Sequence, residues 1–567
     1  MKGAITKRWW HNCVVYQIYP RSFNDSSGDG LGDIQGIIDK LDHIQALGAN
    51  IIWLSPVNQS PMDDNGYDIS DYYKIAPEYG TMADMELLIL EAKKRDIKIL
   101  MDLVVNHTSD EHPWFVESKS SLDNPKRDWY IWKDPKPDGS EPNNWESFFT
   151  PKAWEFDDAS KQYYLHLFSK KQPDLNWENP KVRAAIHDVL HFWLKKGIGG
   201  FRMDVINMIG KPSDFPDATI FDEGVAGWEH WANNLLCHQY LREIDDKVLS
   251  HYDVMTVAET PFTTTLDGRY YSHPDRHEVS MIFHFEHMSI DREEHNAVRK
   301  PFDLVEYKEI MTRWQNDLYQ KGWNSLYWSN HDQPRTVSRF GSDCKEYRRI
   351  SAKMLGTLTH MMSGTPYVYQ GEEIGMTNKT FTDISQFDDL MAKFHYQKIL
   401  ASGRSAQQAL DFLNYFSRDH ARLPMQWDNS LNAGFTTGTP WLALNNNQAD
   451  VNAQTERDNE NSIFNYYRKL IALRKSTVYG EVITYGRYQL LDQDDADVYA
   501  YQRSYNGKTL LIVCNFTKQS LTRHYDGEIK QLVLNNYQNN PLTLAPLSLA
   551  PYQALILDIS PGHADKL

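Results

Sequence analysis

Eight short runs of apolar, β-branched or aromatic residues recur along the first 373 positions, each followed by polar or amphipathic sequence. They are VVYQIYP (14–20), IIWLSPV (51–57), IKILMDLVV (97–105), GIGGFRMDV (197–205), VMTVAET (254–260), VSMIFHF (279–285), NSLYWSNH (324–331) and TPYVYQGEE (365–373). Most are apolar at consecutive positions, which leaves neither face for solvent and suits buried parallel strands. Between them, IQGIIDKLDHIQALG (34–48) and MADMELLILEAKKRD (82–96) carry helical spacing and stop near a Gly or a charged turn. Eight strand–helix units in succession predict an α/β protein built on a (β/α)8 TIM barrel.

Two segments break the rhythm. Residues 107–176 are polar and rich in Pro and Trp, too long for a strand-to-helix loop, and predict an inserted domain after the third strand. From about residue 483 the pattern alternates (DVYAYQRSY, TLLIVCNFT, QALILDIS) and predicts a C-terminal β-sandwich. The expected division is therefore a barrel over 1–106 and 177–482, an insertion over 107–176, and a sandwich over 483–567.

Composition narrows the function. A net charge of −17 disfavours nucleic acid or an anionic membrane as partner. No apolar run reaches a membrane span, and MKGAITKRWWHNCVVYQIYP lacks the apolar core of a signal peptide. The cysteines at 13, 237, 344 and 514 stand singly, as in neither a disulfide framework nor a zinc site. Together these features predict a cytoplasmic protein.

Active groups of such a barrel gather at the C-terminal ends of its strands. That rule selects Asp102, Asn106 and His107 after the third strand, Asp204 after the fourth, Glu259 after the fifth, and His331 and Asp332 after the seventh. Arg202 lies two residues before Asp204, so both side chains point the same way. Carboxylates crowded on one rim repel, and one of them is pushed toward its protonated form. An ionised carboxylate beside a protonated one is the pair a retaining glycosidase needs. A separate acidic stretch, NDSSGDGLGD (24–33), places Asp25, Ser27, Asp29, Leu31 and Asp33 at positions 1, 3, 5, 7 and 9 of a calcium loop. Gly36 stands where the bidentate Glu of an EF-hand belongs.

GFRMDVIN (200–207), TVAETP (256–261), WSNHDQPR (328–335) and DLVVNH (102–107) resemble the signature segments of α-amylase-type glycoside hydrolases. QPDLN (172–176), NGYDISDY (65–72), RDHARLPMQW (418–427) and GFTTGTPW (434–441) resemble marks of the oligo-1,6-glucosidase branch, and the likeness spans nearly the whole chain. The resemblance implies Asp204 as nucleophile, Glu259 as general acid and base, and Asp332 as transition-state stabiliser. It implies that Arg202 holds Asp204 ionised, that His107 and His331 bind sugar hydroxyls, and that Tyr67 stacks on the glucose. It also implies that Asp68 and Arg422 pair across the blind end, with Phe149 as a wall. Val205, beside the nucleophile, goes with α-1,6 bonds in this family, where Ala or Thr accompanies α-1,4 activity. By the same resemblance the acidic loop holds one structural Ca²⁺ or Mg²⁺ through Asp25, Ser27, Asp29, the Leu31 carbonyl and Asp33. The expected partner is a small oligosaccharide, and the expected state a monomer or weak homo-oligomer.

Four stretches depart from the branch: TPFTT after Glu259, Leu423 for a usual Thr, FDDLMAKFHYQ (387–397), and NNLLCHQYL (233–241). They leave the leaving-group preference open. One rival is a trehalose-6-phosphate hydrolase, which would draw phosphate ligands from Lys152, Lys170 or Lys171. A sucrose isomerase would carry an Arg-rich loop where HMSIDREEHN (287–296) has only Arg292. A catalytically silent binding protein would have lost part of the triad, which is complete here.

Overall fold

The computed structural model describes residues 6–221, 225–293, 298–538 and 543–560. Eight parallel strands form one sheet: β1 (Val15–Ile18), β2 (Ile51–Leu54), β3 (Lys98–Val104), β4 (Gly200–Asp204), β5 (Met255–Glu259), β6 (Met281–Phe283), β7 (Ser325–Leu326) and β8 (Thr365–Tyr369). Each lies within a run identified from the sequence. Their order, β6-β5-β4-β3-β2-β1-β8-β7, is that of a TIM barrel. The ring closes through a single parallel bridge, Ile282 to Asn324, reinforced by the Ser325 hydroxyl donating to the Ile282 carbonyl at 2.7 Å. Apart from Lys98 every residue of these strands is buried, which explains their unbroken apolar character.

Helix ends follow their sequence signals. Met82–Lys94 begins with a Thr81/Asp84 capping box and Thr265–Ser272 with Thr264/Asp267. Pro180–Lys195 has Asn179 as cap and Pro at its first position. The stretch 34–48 is two helices, Ile34–Asp39 and Leu41–Leu47, because Lys40 leaves helical geometry at φ −109°, ψ 4°.

The segment after β3 folds into a helix (Pro113–Ser120) and a three-stranded sheet of Trp132–Lys133, Gln162–Leu165 and Trp154–Asp157. Its Trp145, Trp154 and Leu167 pack with Met208, Ala218 and Trp231 from the loop after β4, forming a second core above the barrel mouth. At the other end of the chain, a five-stranded antiparallel sheet running from Arg487–Leu491 to Ala554–Ser560 encloses a third core with the two-stranded sheet of Leu521–Arg523 and Leu547–Leu549. Among the described residues no helix is long and apolar enough to cross a membrane. The four cysteines are free, and three of them are buried.

The metal expectation is overturned. Among the described residues no group of three or more His, Cys, Asp or Glu could hold an ion. The acidic loop after β1 uses its carboxylates on its own chain. Asp25 accepts from the Ser27, Gly28 and Gly30 amides at 2.8–2.9 Å, and from the Ser27 and Thr436 hydroxyls. Asp29 accepts from the Leu31 amide at 2.9 Å, and Asp33 accepts from Ser26 and caps Ile34–Asp39 through the Gly36 amide at 2.6 Å. With N–H and O–H groups pointing at them, these oxygens do not converge on a common centre for Ca²⁺ or Mg²⁺. The loop is clipped by the 434–441 segment instead: the Asp25 amide donates to the Phe435 carbonyl and the Trp441 amide to the Gly30 carbonyl.

Candidate active site

Strand register builds the centre. Asp102 on β3 stands opposite Arg202 on β4, and Arg202 opposite Val257 on β5. Side chains two apart share a face, so Asp204 and Glu259 lie level on adjacent strands, above Arg202 and Asp102. The buried Arg202 guanidinium ties all three acids together. Nη1 donates to Asp102 Oδ1 at 2.8 Å and to Asp204 Oδ1 at 2.6 Å, and Nη2 lies 2.5 Å from Glu259 Oε2. The same cation sits over the Trp53 ring at 4.9 Å.

Burial pushes the Asp204 carboxyl well above the usual carboxylate range; Arg202 pulls it down, and Glu259 pushes with burial. Asp102, raised to about 6 by burial against the pull of Arg202, also accepts from Trp53 Nε1 and the Tyr67 hydroxyl at 3.0 and 2.9 Å.

Immediately after Asp204 the chain turns through Val205 at φ 34°, ψ 38°, left-handed space that a β-branched residue rarely enters. This turn aims the Val205 amide at Glu259 Oε2, 3.2 Å away, and buries the side chain against the insertion's core.

Asp332 completes the rim from the loop after β7. Arg418 Nη1 and Arg422 Nη2 donate to its Oδ1 at 3.2 and 3.0 Å, and His331 Nε2 lies 3.3 Å from its Oδ2. Burial opposes its charge, but the Arg418 and Arg422 guanidiniums hold the carboxyl well below the usual range. His331 itself is lowered to about 3, by burial first, so it is neutral. Gln17 Nε2, a donor only, lies 2.9 Å from His331 Nδ1 and so leaves the imidazole proton on Nε2, facing Asp332. Tyr67 stacks parallel to this imidazole at 5.1 Å.

His107 is lowered to about 4 by burial, and its Nε2 donates to the Tyr67 carbonyl at 3.0 Å. Phe149 reaches in from the insertion, with the Arg418 guanidinium over its ring at 5.3 Å. The expected pairing of Asp68 with Arg422 is not formed. Asp68 is fully buried in its own loop, accepting from the Ser60 hydroxyl and the Asp63 and Asp64 amides. Asp64 faces the arginines instead, with Arg418 Nη2 at 3.5 Å, and burial raises it to about 7 against the pull of Arg418 and Arg422. Arg422 turns to Asp332, with Asp389 at 3.9 Å from its Nη1.

Residues 17–486 match the α-amylase catalytic domain, and residues 488–556 match the maltogenic amylase C-terminal domain. The chain belongs to the α-amylase family. It is 50% identical over 560 residues to an oligo-1,6-glucosidase of Parageobacillus thermoglucosidasius, covering 97% of this chain and 99% of the relative. It is 48% identical to the trehalose-6-phosphate hydrolase of Bacillus subtilis (strain 168), covering 97% and 98%. Among solved structures, isomaltulose synthase from Erwinia rhapontici NX5 superposes with a TM-score of 0.94 at 42% identity, covering 99% of this chain and 100% of that one. This α-amylase family member therefore carries a catalytic glycoside hydrolase domain of the branch that includes these three enzymes.

Sequence reasoning missed four residues around the centre: Gln17, Asp64, Asp389 and Arg418. Asp64 precedes, and Arg418 lies inside, motifs already singled out, but adjacent acids or arginines on loops carry no periodicity to say which one faces inward. Of the rival's lysines, Lys152 is paired with Glu141, and Lys171 lies 3.2 Å from Asp110 and 3.7 Å from Glu111. Residues 294–296 of the HMSIDREEHN stretch lie outside the described residues.

Proposed function

We propose that this chain is a retaining, exo-acting α-glucosidase that removes terminal non-reducing α-1,6-linked glucose from isomaltose-type oligosaccharides such as isomaltose, isomaltulose and panose. The observation that carries it is the shared Arg202 clamp on Asp204 and Glu259, facing an Asp332 held by two further arginines. In this reading Asp204 serves as the carboxylate nucleophile and Glu259 as the acid. An Asp204 oxygen attacks the anomeric carbon as Glu259 protonates the departing glycosidic oxygen, giving a β-glucosyl ester and a free aglycone. Glu259 then takes a proton from water, whose oxygen attacks the same carbon and releases Asp204; the two inversions leave α-glucose. Asp332 accepts sugar hydroxyls as the ring flattens, a charge already set in place by Arg418 and Arg422. His331 and Tyr67 bind the same glucose, with Tyr67 as a platform, and His107 acts through the Tyr67 loop.

Exo-action is supported by the interlinked Asp64, Arg418, Asp332, Arg422 and Asp389, which close the glucose site beyond Asp332, with Phe149 beside them. Preference for 1,6 bonds is supported by the strained Val205, whose branched side chain narrows the site beside the scissile bond. A trehalose-6-phosphate hydrolase stands second, favoured by the 48% identical relative. It ranks lower because Arg202, Arg418 and Arg422, the arginines described around the site, are already paired with acids. Sucrose isomerisation ranks third. Free cysteines, three of them buried, support a reducing cytoplasmic setting, and a monomer or weak homo-oligomer remains our reading. We keep the barrel at 1–106 and 177–482, the insertion at 107–176 and the C-terminal domain at 483–567. Assaying isomaltose, isomaltulose, maltose, sucrose, trehalose and trehalose 6-phosphate side by side tests the assignment. Preferred turnover of the phosphorylated sugar would overturn it in favour of the second reading.

A further inference from the structure

A stretch set aside as a departure from the family, FDDLMAKFHYQ, contains a residue that reaches the centre of the site. Asp389 is buried at the N-terminus of the helix Leu390–Ala401, which leaves the barrel after β8 and returns through Ala406–Phe416 to the arginine segment. Its Oδ1 caps that helix through the Met391 amide at 3.1 Å, and its own amide donates to Asp419 Oδ2 at 3.3 Å. The residue is thus tied at its carboxylate by the helix backbone and at its own amide by the Asp419 side chain. The same Oδ1 accepts from Arg418 Nε and Nη2 at 3.0 and 2.5 Å.

A guanidinium is a rigid plane, so gripping Nε and Nη2 dictates where Nη1 points. In Arg418 that third nitrogen points at Asp332 Oδ1, 3.2 Å away. Arg422 approaches from the other side, with Nη2 on Asp332 and Nη1 toward Asp389, so two carboxylates and two guanidiniums alternate around a closed ring. Arg422 Nη1 is buried and makes no hydrogen bond within the protein; the guanidinium is held by Nη2 on Asp332 and by Nε, which donates to the His331 carbonyl at 3.3 Å.

We propose that Asp389 is a positioning residue for catalysis: it aims Arg418 and Arg422 at Asp332 and thereby fixes the carboxylate that stabilises the transition state. This inference rests on the α-glucosidase reading above. Asp389 does not touch the substrate; it acts through the arginines. Replacing it by Asn keeps a cap for the helix but removes the charge that holds Arg418, and the arginines and Asp332 rearrange together. A 1 Å displacement of such a group costs about 10²-fold in turnover.

The test compares Asp389→Asn, Asp389→Glu and Ser405→Ala on an aryl α-glucoside and on isomaltose, with melting temperature measured alongside. Ser405 caps the neighbouring helix Ala406–Phe416 and touches neither arginine, so S405A reports what loosening the excursion does by itself. D389N is expected to lose about 10²-fold in kcat, with kcat/KM falling in parallel. D389E keeps the charge but displaces it, and is expected to lose about tenfold, whereas S405A melts earlier at unchanged kcat. Wild-type kcat in folded D389N would overturn the inference while leaving the α-glucosidase reading intact. Should D389N not fold, wild-type kcat in D389E overturns it equally. A wild-type enzyme that turns over no α-glucoside would instead overturn the functional reading, and this inference with it.

Discussion

Arg202 and Asp204 meet at 2.6 Å because they occupy alternate positions of one strand, and the same guanidinium reaches Glu259 on the next strand at 2.5 Å. One cation therefore contacts both groups proposed to do the chemistry. Arg202→Met leaves Asp204 and Glu259 without their shared counter-charge, and Asp204 shifts further toward its protonated form. The expected result is a loss of kcat of at least about 10³-fold. The melting temperature drops as well, since breaking a buried ion pair costs about 3–5 kcal/mol. Steady-state kinetics and calorimetry on the variant check both.

The proposed preference for 1,6 bonds rests on Val205, which sits in a left-handed turn. Val205→Thr keeps the branched shape but places a hydroxyl beside the scissile bond, and Val205→Ala opens that space. Val205→Ala is expected to raise the ratio of maltose to isomaltose turnover by about tenfold or more, the scale of removing methyl groups from a pocket wall, and Val205→Thr to raise it less. An unchanged ratio in both would remove Val205 from the account of specificity.

How far the sequence carried the site can be seen at these positions. Register and strand-end placement bring Asp102, Arg202, Asp204 and Glu259 together, and each is legible because strand periodicity is two and parallel neighbours are in fixed register. Asp64 and Asp389 were not legible. They lie where nothing periodic says which of two neighbouring acids faces the site: Asp64, not the expected Asp68, lies beside Arg418, at 3.5 Å. The (β/α)8 rhythm was equally plain from eight buried runs, although β7 pairs over only two residues and the helix expected over 34–48 is interrupted at Lys40. The metal reading failed for a different reason: spacing gives the order of carboxylates in the 24–33 loop but not the backbone amides and hydroxyls that occupy them.

That loop yields its own prediction. Chelators such as EDTA are expected to leave the melting temperature unchanged. Asp25→Ala strands the Gly28 and Gly30 amides and the Thr436 hydroxyl and is expected to lower stability by about 1–3 kcal/mol. A chelator-induced drop in melting temperature would contradict the correction.

Buried beside Tyr467, Glu372 should make stability pH-dependent. Burial raises it to about 8, helped by neighbouring Glu373; the Tyr467 hydroxyl donates to Oε1 at 2.9 Å, and Oε2 makes no hydrogen bond within the protein. A carboxyl raised on folding binds a proton that the unfolded chain has lost, so its contribution is complete below its unfolded value near 4.5 and is lost as pH rises through about 8. Glu372→Gln is neutral at every pH and removes that slope. The stability of the wild type relative to E372Q is expected to fall steadily from pH 5 to pH 8, as read by denaturant melts at each pH.

The central claim is that Asp204 becomes glucosylated and Glu259 carries the proton. Glu259→Gln incubated with α-glucosyl fluoride tests both at once, because fluoride departs without an acid while water cannot be activated without the base. Mass spectrometry of the digested protein is expected to find one added glucosyl unit, on the peptide containing Asp204. Absence of any adduct, or an adduct on another residue, would contradict the mechanism.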